Sequence, residues 1–216
     1  MDACCEGKSA DIETLKNAHL RVLITVLAIN GGLFFIELIA GLVAHSTALL
    51  ADSLDMLGDT LVYAFSLFVL SRSKEWRAMA AILKGMIMAF FGVAVLGEAV
   101  FKVMAGLVPH AETMGAVGIL VLAGNGVCFF MLYRHRSDDL NMRSTWLCSR
   151  NDIIANVSVL AAAGAVAYFN SIWPDVLVGI SIALLFLRTA WTVLRESVSE
   201  FAKLRPRKTV SQAMSE

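Results

Sequence analysis

Six long apolar runs, separated by short polar breaks, organise the chain. They cover residues 21–43, 47–70, 79–106, 114–134, 142–169 and 174–194. Crossing the roughly 30 Å hydrocarbon core takes about 20 apolar residues in a helix, and each run is long enough. The breaks are His45-Ser46, Ser71 to Arg77, Pro109 to Glu112, Arg134 to Asn141 and Asn170 to Pro174. Connections this short force neighbouring helices to run antiparallel. The pattern predicts an all-α bundle of six transmembrane helices over 21–194. It leaves 1–20 as an N-terminal tail and 195–216 as a C-terminal tail too short and polar to form a domain.

Composition agrees. Of 216 residues, 58% are hydrophobic and 17% charged, with a mean hydropathy of +0.71, whereas soluble domains are nearer a quarter charged. Lys+Arg and Asp+Glu are 18 each, so there is no basic excess for nucleic acid. The sign of the loops sets orientation. Lys8, Lys16, Arg21, Arg72, Lys74, Arg77, Arg134, Arg136 and Arg143 lie in the first tail and the even-numbered connections. Arg195, Lys203, Arg205, Arg207 and Lys208 follow the last span. The odd-numbered connections hold no Lys or Arg, which predicts that both termini are cytoplasmic. The first twenty residues lack the apolar stretch of a signal peptide, so the first span is expected to be retained. Cys4 and Cys5 lie in the polar tail, and Cys128 and Cys148 in apolar runs. That is no disulfide framework.

Ionisable residues inside the spans carry the chemistry: Glu37, Asp52, Asp55, Asp59, Lys84, Glu98, Lys102, Cys148, Arg150, Asp152 and Arg188. A charge at mid-bilayer costs about 2.5–3.5 kcal/mol on insertion scales, so such groups face a bundle interior and commonly mark an ion path. Asp55 and Asp59 are four apart and share one helix face. Their like charges repel, and a divalent cation between them removes that penalty. Cys148 and Asp152 repeat the spacing in span five. If its helix starts near Leu140, both pairs lie near mid-membrane, the first some 12–18 Å below its helix start at 1.5 Å per residue. Four ligands, two from each helix, make a tetrahedral site of the kind zinc and cadmium accept.

Residues 30–60, NGGLFFIELIAGLVAHSTALLADSLDMLGDT, resemble the first two spans of the cation diffusion facilitator family of metal transporters. Residues 143–196 are similar to that family's fifth and sixth spans, including the trailing Leu-Arg-Glu-Ser. The resemblance implies export of divalent metal from the cytoplasm, commonly in exchange for protons. It also implies a transport site on the pairs of spans two and five, here Asp55, Asp59, Cys148 and Asp152. The chain departs from the family in having Cys148 where His is usual. It departs also in the short tail after span six, where the family commonly has a cytoplasmic metal-binding domain. A thiolate among three carboxylates favours zinc and cadmium over manganese or magnesium.

Other polar positions have alternative readings. Glu37 and Asp52 either line the exit path and relay protons or form a hydrogen bond that packs helices. Glu98 is expected to pair with Lys102, four residues on. Lys84, Lys102 and Arg188 can snorkel or pair locally. Arg150 is turned off the ligand face. Asn30 and Asn125 are expected to bond across helices. Gly85-xxx-Ala89 offers a close-approach face through which two copies could form a homodimer. The expected function is efflux of zinc or cadmium by alternating access, with metal ions, protons and the lipid bilayer as partners and no prosthetic group. A compact chain of this kind suits a bacterial inner membrane. The rival reading is a membrane protein that ligates metal without moving it. An enzyme is disfavoured, because four protein ligands leave no open coordination position.

Overall fold

The structure, a computed structural model, describes residues 3–69, 74–135 and 140–204, with side chains described over 21–61, at 76, and over 78–134 and 149–203. Among the described residues there are six helices and no strand. They are α1 (Ala3–Ala44), α2 (Thr47–Val69), α3 (Lys74–Ala105), α4 (Ala111–His135), α5 (Leu140–Phe169) and α6 (Trp173–Leu204). A helix lies over each of the six expected runs, and α5 begins at Leu140 as the depth argument needs. α1 begins well before the apolar run: the stretch read as a separate tail continues the helix from Ala3. Its residues are mostly helix formers with no proline, so nothing local stops the helix. Cys4 and Cys5 lie outside the described side chains.

Local chemistry sets the helix ends. α1 closes at His45, whose φ of 53° lets the chain turn, with Ser46 N–H donating to Gly41 C=O at 2.9 Å. Ser46 then caps α2, its Oγ accepting from Leu49 N–H at 3.1 Å. α3 ends at Gly106 (φ 65°) and α5 at Asn170 (φ 46°), both left-handed closers. α6 opens with Pro174 in its first turn, where the missing N–H costs nothing.

Among the described residues, five helices carry stretches long and apolar enough to cross a membrane: Arg21–Ala44, Ala78–Ala105, Ala111–Arg134, Ser149–Phe169 and Trp173–Lys203. α2 carries Asp52, Asp55 and Asp59 within about two of its turns. The bundle has the polarity of a protein in lipid. Phe90 and Trp191 are 70% exposed, while Glu37, Lys102 and Asp175 are 0% exposed. The chain is a multi-pass membrane protein.

α2 is the central helix. Its Ala48 and Leu49 join Ala40 and Ala44 of α1, Met114 of α4, and Val159 and Ala162 of α5 in one apolar cluster. Its Leu50, Ala51 and Leu54 join Met88 and Val95 of α3, and Ala183 and Phe186 of α6, in another. α2 is therefore the seam between an α1–α4–α5 group and an α3–α6 pair. The α3–α6 contact is close. A β-carbon built on Gly85 would lie 2.7 Å from Leu194 Cγ, and one on Gly92 2.6 Å from Leu187 Cδ2. The Gly85 stripe is thus spent on packing within the chain and is not a free face for a second copy.

Candidate metal centre

Asp55 and Asp59 sit one turn apart on α2, both half-buried, and Asp152 on α5 is 8% exposed. Asp55 and Asp152 act on each other electrostatically across the helix pair. The charge of Asp59 acts on both. Asp55, Asp59 and Asp152 thus act on one another electrostatically between α2 and α5. Cys148 lies one turn before Asp152 on α5, outside the described side chains. Among the described residues, no three His, Cys, Asp or Glu side chains close into a set that could hold an ion.

A second polar string runs from this locus through the bundle. Asn125 of α4 donates through Nδ2 to Asn156 Oδ1 of α5 at 3.0 Å. Asn156 donates in turn through Nδ2 to Asp52 Oδ2 of α2 at 2.8 Å. Asp52 lies in the electrostatic field of Glu37 of α1, and both are 0–1% exposed. Both Glu37 carboxyl oxygens, Asp52 Oδ1 and Asn125 Oδ1 are buried acceptors without a donor. Orphaned acceptors of this kind cost about 1–3 kcal/mol each, more when charged. Among the described residues the string is acceptor-rich.

Asn156 escaped the sequence reading, although its signal was present. It continues the Cys148–Asp152 face by a further four residues. Cys128 of α4, in an apolar run of the sequence, faces the polar interior. It is buried, donates weakly to Asn30 Oδ1 at 3.9 Å, and lies in the field of Asp152 and Asp59. The cross-helix roles of Asn30 and Asn125 hold. Arg150 is exposed, turned away from buried Asp152 as its two-residue offset requires. Lys84 places its charge in reach of Asp59.

The expected Glu98–Lys102 pair does not form. Lys102 pairs instead with Asp175 of α6 at 2.5 Å, both 0% exposed, and Glu98 accepts from Thr47 Oγ1 at 3.0 Å. Inside the bundle a fully buried partner outcompetes a half-exposed one on the same helix, since desolvated opposite charges interact more strongly.

A cleft of about 910 Å³ opens between α5 and α6, its wall including Asp55, Asn151, Ser158, Ser181, Arg188 and Thr192. Asp55 is thereby joined to the surface on the flank where α5 and α6 diverge.

The sequence model of a family described as the cation efflux transmembrane domain matches residues 23–202. Among curated relatives, the zinc transporter ZitB of Escherichia coli is 26% identical over 202 residues, covering 87% of this chain and 64% of that protein. The metal cation efflux system protein CzcD of Cupriavidus metallidurans is 25% identical over 193 residues, covering 83% and 60%. The cadmium, cobalt and zinc/H(+)-K(+) antiporter of Bacillus subtilis is 26% identical over 199 residues, covering 85% and 63%. The chain spans less than two thirds of the length of each.

Proposed function

The chain belongs to the cation efflux family, and on that premise we propose that it exports a divalent metal, zinc or cadmium, in exchange for protons. Relatives named for zinc, and for cadmium, cobalt and zinc, support the cargo class. The observation that carries the reading is the packing of α2 against α5, which puts Asp55 and Asp59 of one helix in the field of buried Asp152 of the other. Carboxylates that face one another in a low-dielectric interior repel unless a cation or protons lie between them. Cys148 supplies the fourth ligand, one turn along α5 from Asp152.

Exchange follows from the ligands themselves. Metal binds carboxylate and thiolate, so protons must leave as metal enters. Metal and protons therefore compete for one locus, which gives antiport if the bundle alternates its opening around that locus. Glu37 and Asp52 extend the locus: two buried carboxyls in each other's field can hold a proton in place of a cation and so serve as a relay. With both termini cytoplasmic, metal enters from the side of the termini and leaves at the opposite end. A bacterial inner membrane suits this arrangement.

Metal uptake into inverted vesicles under a proton gradient tests the reading, with wild type beside Asp152→Ala. Wild type is expected to accumulate many ions per protein and Asp152→Ala none above empty vesicles. Equal flux in the two would remove Asp152 from the site. Uptake of at most a few ions per wild-type protein would make the chain a binder.

A further inference from the structure

The end of the bundle away from the chain termini is closed by a saturated polar knot. Asp175 sits in the first turn of α6 and accepts four bonds. Its donors are Thr47 N–H at 2.8 Å, Ala48 N–H at 3.2 Å, Ser46 Oγ at 2.5 Å and Lys102 Nζ at 2.5 Å. Lys102, in the last turn of α3, donates again to His45 C=O. Glu98, one turn earlier on α3, accepts from Thr47 Oγ1. The α1–α2 turn and the start of α2 are thus bonded to α3 and α6 together. No comparable polar bond joins the start of α2 to α4 or α5 among the described residues; apolar Met114 and Val159 pack there.

Capping alone does not call for this arrangement, since Ser46 already caps α2 through Leu49 N–H. A buried ion pair is a poor source of stability. Apolar replacements are often neutral or better, and the best-attested use of such pairs is to fix register or switch states. The knot also lies across the seam. α2 carries Asp55 and Asp59 about 12 and 18 Å from Thr47 at 1.5 Å rise per residue. It is one helix from knot to site, so moving the α3–α6 pair away from α2 at this end must break the knot. The cleft wall holding Asp55 opens elsewhere, between α5 and α6.

We propose that Lys102 and Asp175, with Ser46, Thr47 and Ala48, form the releasable latch of the far gate. They hold the conformation seen here, and must part before cargo can leave away from the termini. The proposal rests on the transport reading above. Loading the site removes the mutual repulsion of its acids and so permits the swing that an empty, deprotonated site resists.

Hydrogen–deuterium exchange of the full chain in lipid nanodiscs tests it, at alkaline pH with zinc as the probe and zinc binding measured in the same samples. Amides of residues 47–49 are expected to exchange about tenfold faster with saturating zinc, and Asp55→Asn should abolish that response. Lys102→Met should exchange fast at 47–49 without zinc, while residues 55–61 exchange as in wild type. Asp175→Asn keeps an acceptor for the α2 amides but loses the ion pair, and should move the same way by less. If wild type binds zinc and residues 47–49 do not respond, the latch is overturned and the site stands. If wild type binds no zinc, the site reading fails and takes the latch with it. Should Lys102→Met fail to fold, the zinc response of wild type still decides.

Discussion

Gly179→Ala provides the sharpest structural test of how α6 meets α2. Gly179 follows Asp175 by one turn on the same face. A β-carbon there would lie 2.6 Å from Thr47 C and 2.8 Å from Ala48 N, both backbone atoms. Backbone cannot rotate away as a side chain can. Restoring an ordinary contact of about 3.4 Å requires the helices to part by about 0.8 Å. The Thr47 N–H···Asp175 bond then stretches from 2.8 to about 3.6 Å, and the Ala48 bond from 3.2 to about 4.0 Å, both beyond hydrogen-bonding range. Two bonds to a charged acceptor, at about 1.5 kcal/mol each, put the loss near about 3 kcal/mol. Alanine recovers about 1 kcal/mol of helix propensity over glycine, leaving a net destabilisation of about 2 kcal/mol. At about 2–4 °C per kcal/mol for a chain of this size, the midpoint should fall by about 4–8 °C. The assay is thermal unfolding in detergent, monitored by size-exclusion fluorescence. Gly97→Ala is the control, because nothing lies within 4 Å of its added carbon; it should melt at or slightly above wild type. A Gly179→Ala midpoint within about 2 °C of wild type would refute the close-approach argument.

Two further outcomes follow from the ligand set. Cys148→His should keep zinc transport and weaken cadmium relative to zinc, read as the ratio of the two uptake rates in vesicles; an unchanged ratio means the sulfur is not a ligand. Metal affinity, measured by equilibrium binding to the purified protein, should weaken by about tenfold per pH unit for each proton the metal displaces. A flat profile from alkaline to mildly acidic pH would exclude proton competition at the site.

Much of this fold is legible in order along the chain, because each span must satisfy its own length and polarity. The proposed ligand pairs stand out for the same reason: a spacing of four fixes a helix face without reference to any other helix. The partners across helices are another matter. Lys102 and Asp175 are 73 residues apart, and the favourable Glu98–Lys102 spacing offers a nearer pairing that burial overrides. Gly85-xxx-Ala89 signals close approach but not which helix approaches, and the partner is α6 of the same chain. The field of the acids at Cys128 has no sequence signal, since it depends on how α4 is rotated against α5. Asn156 was within reach of the spacing rule and was missed only because amides were weighed less than charges.

The second helix also bears on how the protein is made. Its three aspartates make it costly to place in lipid unaided, each charge costing about 2.5–3.5 kcal/mol at mid-membrane. Its amide partner Asn156 lies on the fifth helix, and the carboxylate that finishes its first turn, Asp175, is on the sixth. A segment translated second is therefore completed last. Until the ribosome has released the C-terminal third, α2 must be sheltered by its hairpin partner or by the insertion machinery. Truncation before the sixth helix would leave a nascent chain whose most functional segment has no settled place in the bilayer.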